Sequence, residues 1–341
     1  MKRCLYLILA VLVTSILSAC GGGTTNAGED TIKLTYAFFA PANTFPAVQM
    51  EEWKKRLEER TNGKVEVELF HGGSLLEANN MYDGVESGTA DIGLTSTSYE
   101  PRRFPLLAIS DMPSIYNSAT SASKVVHDLV KEYPPEALEN FKIITTFATE
   151  PAYIQSKQPI TSLDELKGQQ LRIAGALTPI MEELGAAPVE MSQAEVPEAL
   201  QTGIVNGYVS SREILKDAKL AEMVNYTTDY PLALNTFIAV MNKDTWDSLP
   251  DDVQQVIDEL NHEMTVFTGE YLDKHVQESL EWSKENHEHE IVELSDREKW
   301  DEKLENMKMN YVEKVQNQGH PAKEYLEKME NLIEKYNRES E

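Results

Sequence analysis

Hydrophobic and polar residues alternate loosely from Thr31 to Phe38, in a stretch rich in Ile, Leu, Tyr and Phe that predicts a first strand. Pro41 to Phe45 reads as a loop. Ala47 to Glu59 has helical spacing, with Val48, Trp53 and Leu57 as expected core anchors, and Thr61-Asn62-Gly63 stops it. Lys64 to Phe70 sets Val65, Val67 and Leu69 against Glu66 and Glu68, the pattern of a half-buried strand. His71-Gly72-Gly73 turns the chain, Glu77 to Ser87 reads as a short helix ended by Gly88, and Ala90 to Leu94 as a short buried strand. This β-α-β-α-β order implies a parallel sheet covered by helices.

A second unit of the same kind follows. Strands are expected at 141–148, 153–155, 170–173, 188–191, 206–209 and 237–241, and helices at 178–184 and 193–201. Ser162 to Leu166 is a capped helical turn with Asp164 and Glu165 near its positive end. From Leu249 the texture changes. Pro250-Asp251-Asp252 suits a helix start. Val253, Val256, Ile257, Leu260, Met264 and Phe267 then recur at helical spacing, and the pattern runs past Leu280 and Trp282. One helix of roughly 35 residues spans about 50 Å, enough to run along two domains.

The N-terminus has a different grammar. Lys2 and Arg3 precede an apolar run from Leu5 that continues to Leu17, short for a membrane span and built like a secretory signal. Leu17-Ser18-Ala19-Cys20 resembles a bacterial lipobox, in which the cysteine becomes the lipidated first residue. Residues 1–19 are therefore expected to be a lipoprotein signal peptide, Cys20 the lipidation site, and 20–30 a flexible tether to the bilayer. Cys4 would leave with the signal, so the domain has neither a disulfide nor a thiol nucleophile.

The length of 341 residues suits two domains. The formal net charge of −26 becomes −28 once Lys2 and Arg3 leave. Such acidity argues against nucleic acid, which needs Lys and Arg to displace counterions, and against a polybasic membrane patch. Residues 251–341 alone carry 25 acids and 11 Lys+Arg, read as solvated helix faces. An anionic ligand remains compatible, because a buried pocket is decided by a few local donors.

No G-x-G-x-x-G, Walker, G-x-S-x-G or H-E-x-x-H pattern occurs. The clustered pair His287 and His289 lies two residues apart, a spacing that does not share a helix face, so no metal site is expected there. No cofactor and no catalysis are expected. What remains is recognition. Arg172 ends the short apolar strand Gln170 to Ile173. A guanidinium in that setting is costly unless it meets an anion, and its planar fork suits a carboxylate. The anion is either a protein acid or a ligand.

At this point the chain resembles a known family. Leu166-Lys167-Gly168 followed by Leu171-Arg172-Ile173 is similar to a segment of the solute-binding proteins of TRAP (tripartite ATP-independent periplasmic) transporters, the dicarboxylate-binding type. Leu184 to Val189, Glu195 to Gly207, Thr61 to Val65, Gly88 to Gly93 and Trp246 to Pro250 match further family segments in the same order. The resemblance covers essentially the whole mature chain. It implies an α/β, two-lobed, periplasmic-binding-protein-like fold with a long helix bracing both lobes. Lobe 1 is then 31–151 plus about 236–281, and lobe 2 is 152–235 plus about 282–341. It also implies capture of a small organic acid outside the cytoplasm and its delivery to TRAP membrane subunits. Arg172 matches the family arginine that pairs with the ligand carboxylate.

The departures matter as well. A second ligand arginine of many members is Ala152 here, a common ligand Asn is Ser210, and a usual aromatic is Gln193. The clamp is therefore expected to be single and the ligand body atypical. Further pocket candidates follow strand ends, where open α/β sheets bind ligands. They are Phe38, Phe39, Ser96, Thr97, Tyr99, Tyr153, Tyr208, Ser210, Asn235 and Phe237, while Arg102, Arg103 and Arg212 are expected at the surface. The aromatics among them suggest an apolar or aromatic acid. On the residues alone, two other classes stay open. One is a sensor that presents its liganded state to a receptor. The other is an α/β enzyme at the cell surface.

Overall fold

In a computed structural model, which describes residues 31–339, the first alternating stretch becomes β1 (Ile32–Phe38) and the half-buried one β2 (Val65–Phe70). The signal peptide, Cys20 and the tether lie outside the described residues. Between the strands runs α1 (Phe45–Arg60), longer than expected because Pro46 sits in its first turn, where the missing N–H costs nothing. Trp53 and Leu57 anchor it in the core as expected, whereas Val48 is only half-buried and Met50 takes the inner place. β3 (Ile92–Ser96) completes a parallel trio with β1 at its centre.

The sheet is mixed, not parallel throughout. β4 (Phe141–Ala148) and β10 (Thr236–Asn242) extend it in the order β2-β1-β3-β10-β4, and β10 is antiparallel to both neighbours. The reversal follows from where β10 comes from, since it enters from the other lobe. The second sheet is β11-β9-β5-β8-β6-β7. Its strands are β5 (Tyr153–Ser156), β6 (Gln170–Ile173), β7 (Ala187–Glu190), β8 (Gly207–Ser210), β9 (Tyr226–Thr228) and β11 (Glu290–Val292).

Two chain segments cross between the sheets, at 149–152 and 229–235, and they run side by side. Ala152 N donates to Ala233 O at 2.6 Å, and Thr149 N to Asn235 O at 3.1 Å. α2 (Ala119–Glu132) packs on the first sheet, and α3 (Val196–Thr202) buries Val196, Ala199 and Leu200 in one hydrophobic cluster with Tyr208 of the second. The third link is α4 (Asp251–His287), 37 residues and about 55 Å long. It lies on α1, α2 and β4, then reaches the short helix Ile214–Asp217 of the second lobe. Ser279 Oγ donates there to the carbonyls of Arg212 and Glu213, and His275 Nε2 meets Asp217 Oδ1 at 2.6 Å.

The C-terminal segment corrects the expected boundary of the second lobe. α5 (Arg297–Asn317) buries Trp300 and Leu304 against Leu171, Ile173 and Met181 of that lobe. Its later residues Val312 and Val315, and then Tyr325 and Met329 of α6 (Ala322–Glu339), join Val125 and Leu129 of α2. Residues 322–339 therefore pack on the first lobe, because the apolar face of α6 finds α2. Among the described residues, no helix is long and apolar enough to cross a membrane.

Gly269 sets how closely α4 approaches α2. A Cβ there would stand 2.5 Å from Thr120 Cα, which is backbone and cannot swing away. One turn on, Asp273 accepts from the backbone N–H of Ala119 and Thr120 and so caps α2. Gly269→Ala should lower stability by about 2 kcal/mol, since the overpacking cost of about 3 outweighs the gain of about 1 in helix propensity. Urea unfolding monitored by circular dichroism checks this; an unchanged or higher midpoint would show that the helices can part.

Candidate functional site

The carboxyl ends of β1, β3, β6 and β8 converge on one cleft between the lobes, and residues at or next to those ends line it. Phe38 and Phe39 come from the end of β1, Ser96 from β3, Ala174 follows β6, and Ser210 and Ser211 come from β8. The crossing segments add Thr149 and Asn235, and β10 adds Phe237. Five of the lining residues are aromatic, Phe38, Phe39, Phe45, Tyr99 and Phe237. Phe237 stacks on Phe147 at 5.4 Å, Phe45 stands edge-on to Phe237 at 6.0 Å, and Phe39 meets Tyr99 edge-to-face at 5.1 Å. The inner space is narrow, leaving about 50 Å³ for the centres of water-sized molecules. Phe39 and Tyr99 also line a wider outer cleft of about 680 Å³, so this ring pair stands between the two.

Arg172 lies inside, 2% exposed. Its Nε and Nη2 donate to Met191 O at 3.0 and 2.7 Å, Nη1 to Gln193 Oε1 at 2.9 Å, and Nη2 to Tyr99 OH at 3.1 Å. Every acceptor is neutral. Among the described residues no Asp or Glu oxygen lies within 4.0 Å of the guanidinium. The two ordinary explanations of such an arginine, a protein ion pair or a solvated surface, are therefore both absent.

The groups around it are donors. Tyr99 OH already accepts from Arg172 and from Gln193 N, which leaves its own proton free to give. Gln193 Nε2 is buried without a partner. Asn235 accepts at Oδ1 from Ser98 Oγ, so its Nδ2 is the end left to donate. Donors around an uncompensated cation make an anion cradle.

A second polar point has different chemistry. Glu213 is 2% exposed; its Oε1 accepts from Ser211 Oγ at 2.8 Å, and its Oε2 is buried without a partner. Burial, with Asp217 and Glu150 nearby, pushes its carboxyl up to about 8. Asp217 is engaged with His275, whose pKa the pairing raises. Glu150 is engaged with Arg212, at 2.7 Å.

Of the sequence candidates, Arg172, Ser210, Phe39, Ser96, Asn235 and Phe237 line the cavity, as do Phe38 and Tyr99. Three do not, which corrects the expectation. Thr97 is buried behind the wall, its Oγ1 donating to Thr236 O at 3.2 Å. Tyr208 shares a face of β8 with Ser210 but sits one pleat deeper, fully buried, its OH donating to Gln155 Oε1 at 2.6 Å. Tyr153 is covered by the Arg212 guanidinium, 4.0 Å above its ring. Arg212 is correspondingly not at the surface, with its side chain only 14% exposed. Ala152 is fully buried in the crossing segments, so no second arginine enters there. Thr149, Ser211, Glu213 and Ile214 line the cavity without having been singled out. The first three lie in irregular segments, and Ile214 opens a helix of a single turn, too short for periodicity to carry a signal.

Residues 36–318 match the family described as bacterial extracellular solute-binding protein, family 7. A TRAP periplasmic solute-binding protein from Desulfovibrio salexigens, crystallised as an open complex, is 42% identical, with a TM-score of 0.79 over 89% of this chain and 96% of that one. A marine-metagenome TRAP solute-binding protein, specific for aromatic acids and bound to 3-hydroxybenzoate, is 25% identical, with a TM-score of 0.84 over 90% of this chain and 99% of that one. The C4-dicarboxylate-binding protein of Bacillus subtilis is 22% identical over 90% of this chain and 93% of its own length.

Proposed function

The chain belongs to the bacterial extracellular solute-binding proteins of family 7, and we propose that it captures a monocarboxylic acid with an aromatic or otherwise apolar body. The observation that carries this reading is Arg172, a buried cation with neutral partners only. Its charge is compensated when a carboxylate enters beside it, with Tyr99 OH and Gln193 Nε2 as further donors. The aromatic walls favour a ring or an aliphatic body over a second carboxylate. Solute-binding proteins with aromatic monocarboxylates in their sites, such as the 3-hydroxybenzoate complex, support the same class.

In this reading the cycle is a hinge motion about the crossing segments 149–152 and 229–235. The ligand favours closure by as much as it binds the closed form better than the open one. Water leaves, and the arginine–carboxylate pair strengthens in the lower dielectric. The closed form then docks on TRAP membrane subunits, which take up the acid. The receptor stays outside the cytoplasm, held to the bilayer through lipidated Cys20, and has no catalytic role.

A thermal-shift panel tests the ligand class. Benzoate-like acids should raise the unfolding midpoint by several degrees, because a ligand at a hundred times its Kd adds about 2.7 kcal/mol to the native state. Benzamide, which lacks the charge, and succinate should leave the midpoint unchanged. A shift by succinate alone, or an equal shift by benzamide, overturns the reading.

A further inference from the structure

The carboxylate reading uses Arg172 and its donors and leaves Glu213 without a task. Glu213 nevertheless lines the same cavity, and it shares no hydrogen-bond partner with Arg172. Its Oε2 is buried and unpaired, although the fold surrounds it with groups that pair elsewhere. Asp217 Oδ1 meets His275 while its Oδ2 is likewise buried without a partner, Glu150 meets Arg212, and Tyr208 OH donates to Gln155. An unpaired buried carboxyl oxygen is destabilising until something supplies its hydrogen bond. Among the described residues no hydrogen bond reaches it, and the cavity that Glu213 lines is open to supply one.

We propose that Glu213 is a specificity-determining residue that hydrogen-bonds a hydroxyl group of the ligand, so that the preferred cargo is a hydroxylated monocarboxylic acid. The inference rests on the carboxylate reading, since it assumes that Arg172 holds the acid group. The hydroxyl follows from the proton inventory. Oε1 is taken by the Ser211 hydroxyl, which donates to it. A protonated Oε2 needs an acceptor, and an ionised one needs a donor. A ligand hydroxyl serves both states. A carbonyl serves only the acid form, and an ammonium only the ionised form. The raised affinity of Glu213 for its proton, caused by burial and by Asp217 and Glu150, means that the acid form is populated at neutral pH, which disfavours a partner that only donates. The aromatic walls meanwhile give a hydroxyl-free acid no polar reason to approach Glu213. A site built to pair a hydroxyl rejects the analogue lacking it, because its own polar group is left unpaired.

Calorimetric titration of the wild-type protein with benzoate, 3-hydroxybenzoate and 4-hydroxybenzoate tests this. At least one hydroxybenzoate should bind tenfold or more tighter than benzoate. In Glu213→Leu, which removes both oxygens at similar volume, that ratio should fall to near one. In Glu213→Gln, which keeps an acceptor and a donor, most of the ratio should survive. Circular dichroism of both variants establishes that they fold. Equal affinities of the three acids for the wild type, or a ratio kept in folded Glu213→Leu, overturns the role of Glu213 and leaves the carboxylate reading standing. Binding of none of the three acids to the wild type overturns both.

Discussion

Arg172→Met should weaken carboxylate binding by a hundredfold to a thousandfold and leave the unfolding midpoint at or slightly above the wild-type value. The two halves of this expectation have one cause. Among the described residues the guanidinium is the only cation lining the cavity, so in the proposed complex its loss leaves a desolvated carboxylate without a counter-charge. Breaking a buried pair in this way costs about 3–5 kcal/mol, and each 1.4 kcal/mol is about a factor of ten in affinity. In the free state the same guanidinium has no acidic partner, so removing it relieves an uncompensated buried charge. The lost hydrogen bonds to Met191 O and Gln193 Oε1 offset part of that relief. Arg172→Lys separates charge from shape. It keeps the cation but not the planar fork, and should retain only a weak, mostly electrostatic affinity. Isothermal titration with a bound acid and a parallel thermal melt check both halves. Arg172→Met binding within tenfold of wild type would sink the clamp.

This asymmetry also explains why so acidic a protein is suited to an anion. The chain carries −26 overall, and residues 251–341 hold much of the excess on exposed helix faces. Exposed charges more than about 8–10 Å away are screened at physiological salt, whereas a buried guanidinium at contact distance is not. In the proposed reading one local cation therefore decides the sign of the ligand against the net charge.

Arg172 was legible in the sequence because an arginine ending an apolar strand breaks the binary pattern, and a residue that breaks it has to be explained. The long helix was legible because its spacing persists over 37 residues, a length at which periodicity is unambiguous. β2 was legible for the same reason, with Glu66 and Glu68 set against buried Val65 and Val67. Three things were not. The direction of β10 depends on which lobe the chain comes from, a non-local fact that its own residues do not encode. The partner of α6 is decided by the complementary face of α2, about 200 residues earlier in the chain. Tyr208 and Tyr153 sit at plausible strand positions, but depth along a strand and cover by Arg212 are tertiary properties. Glu213 was missed because a buried acid in a loop looks like an exposed one until its neighbours are known.

Glu213→Gln should flatten the pH dependence of stability of the ligand-free protein between about pH 4.5 and 8. In the folded chain the Glu213 carboxyl is pushed up to about 8 by burial, then by Asp217 and Glu150, with the Ser211 hydroxyl opposing. In the unfolded chain it titrates near the ordinary value of about 4.3. Between those two values the folded state holds a proton that the unfolded state has released. Stability from this group is thus fully present below the unfolded pKa, falls as pH rises, and is lost once pH passes the folded value. At about 1.4 kcal/mol per pKa unit the loss amounts to roughly 5 kcal/mol. Asp111, buried and pushed up to about 7, adds a fall of the same sign, and so does His275, raised by Asp217. His127, lowered to about 4 by burial, acts in the opposite sense at acid pH. These groups are present in both proteins, so the difference between Glu213→Gln and wild type isolates Glu213. That difference should grow in favour of the variant from pH 5 to pH 8 and then level off. Urea unfolding at four pH values measures it. Parallel curves would mean that Glu213 ionises without penalty in the folded chain, which is incompatible with an oxygen buried and unpaired at the cavity wall.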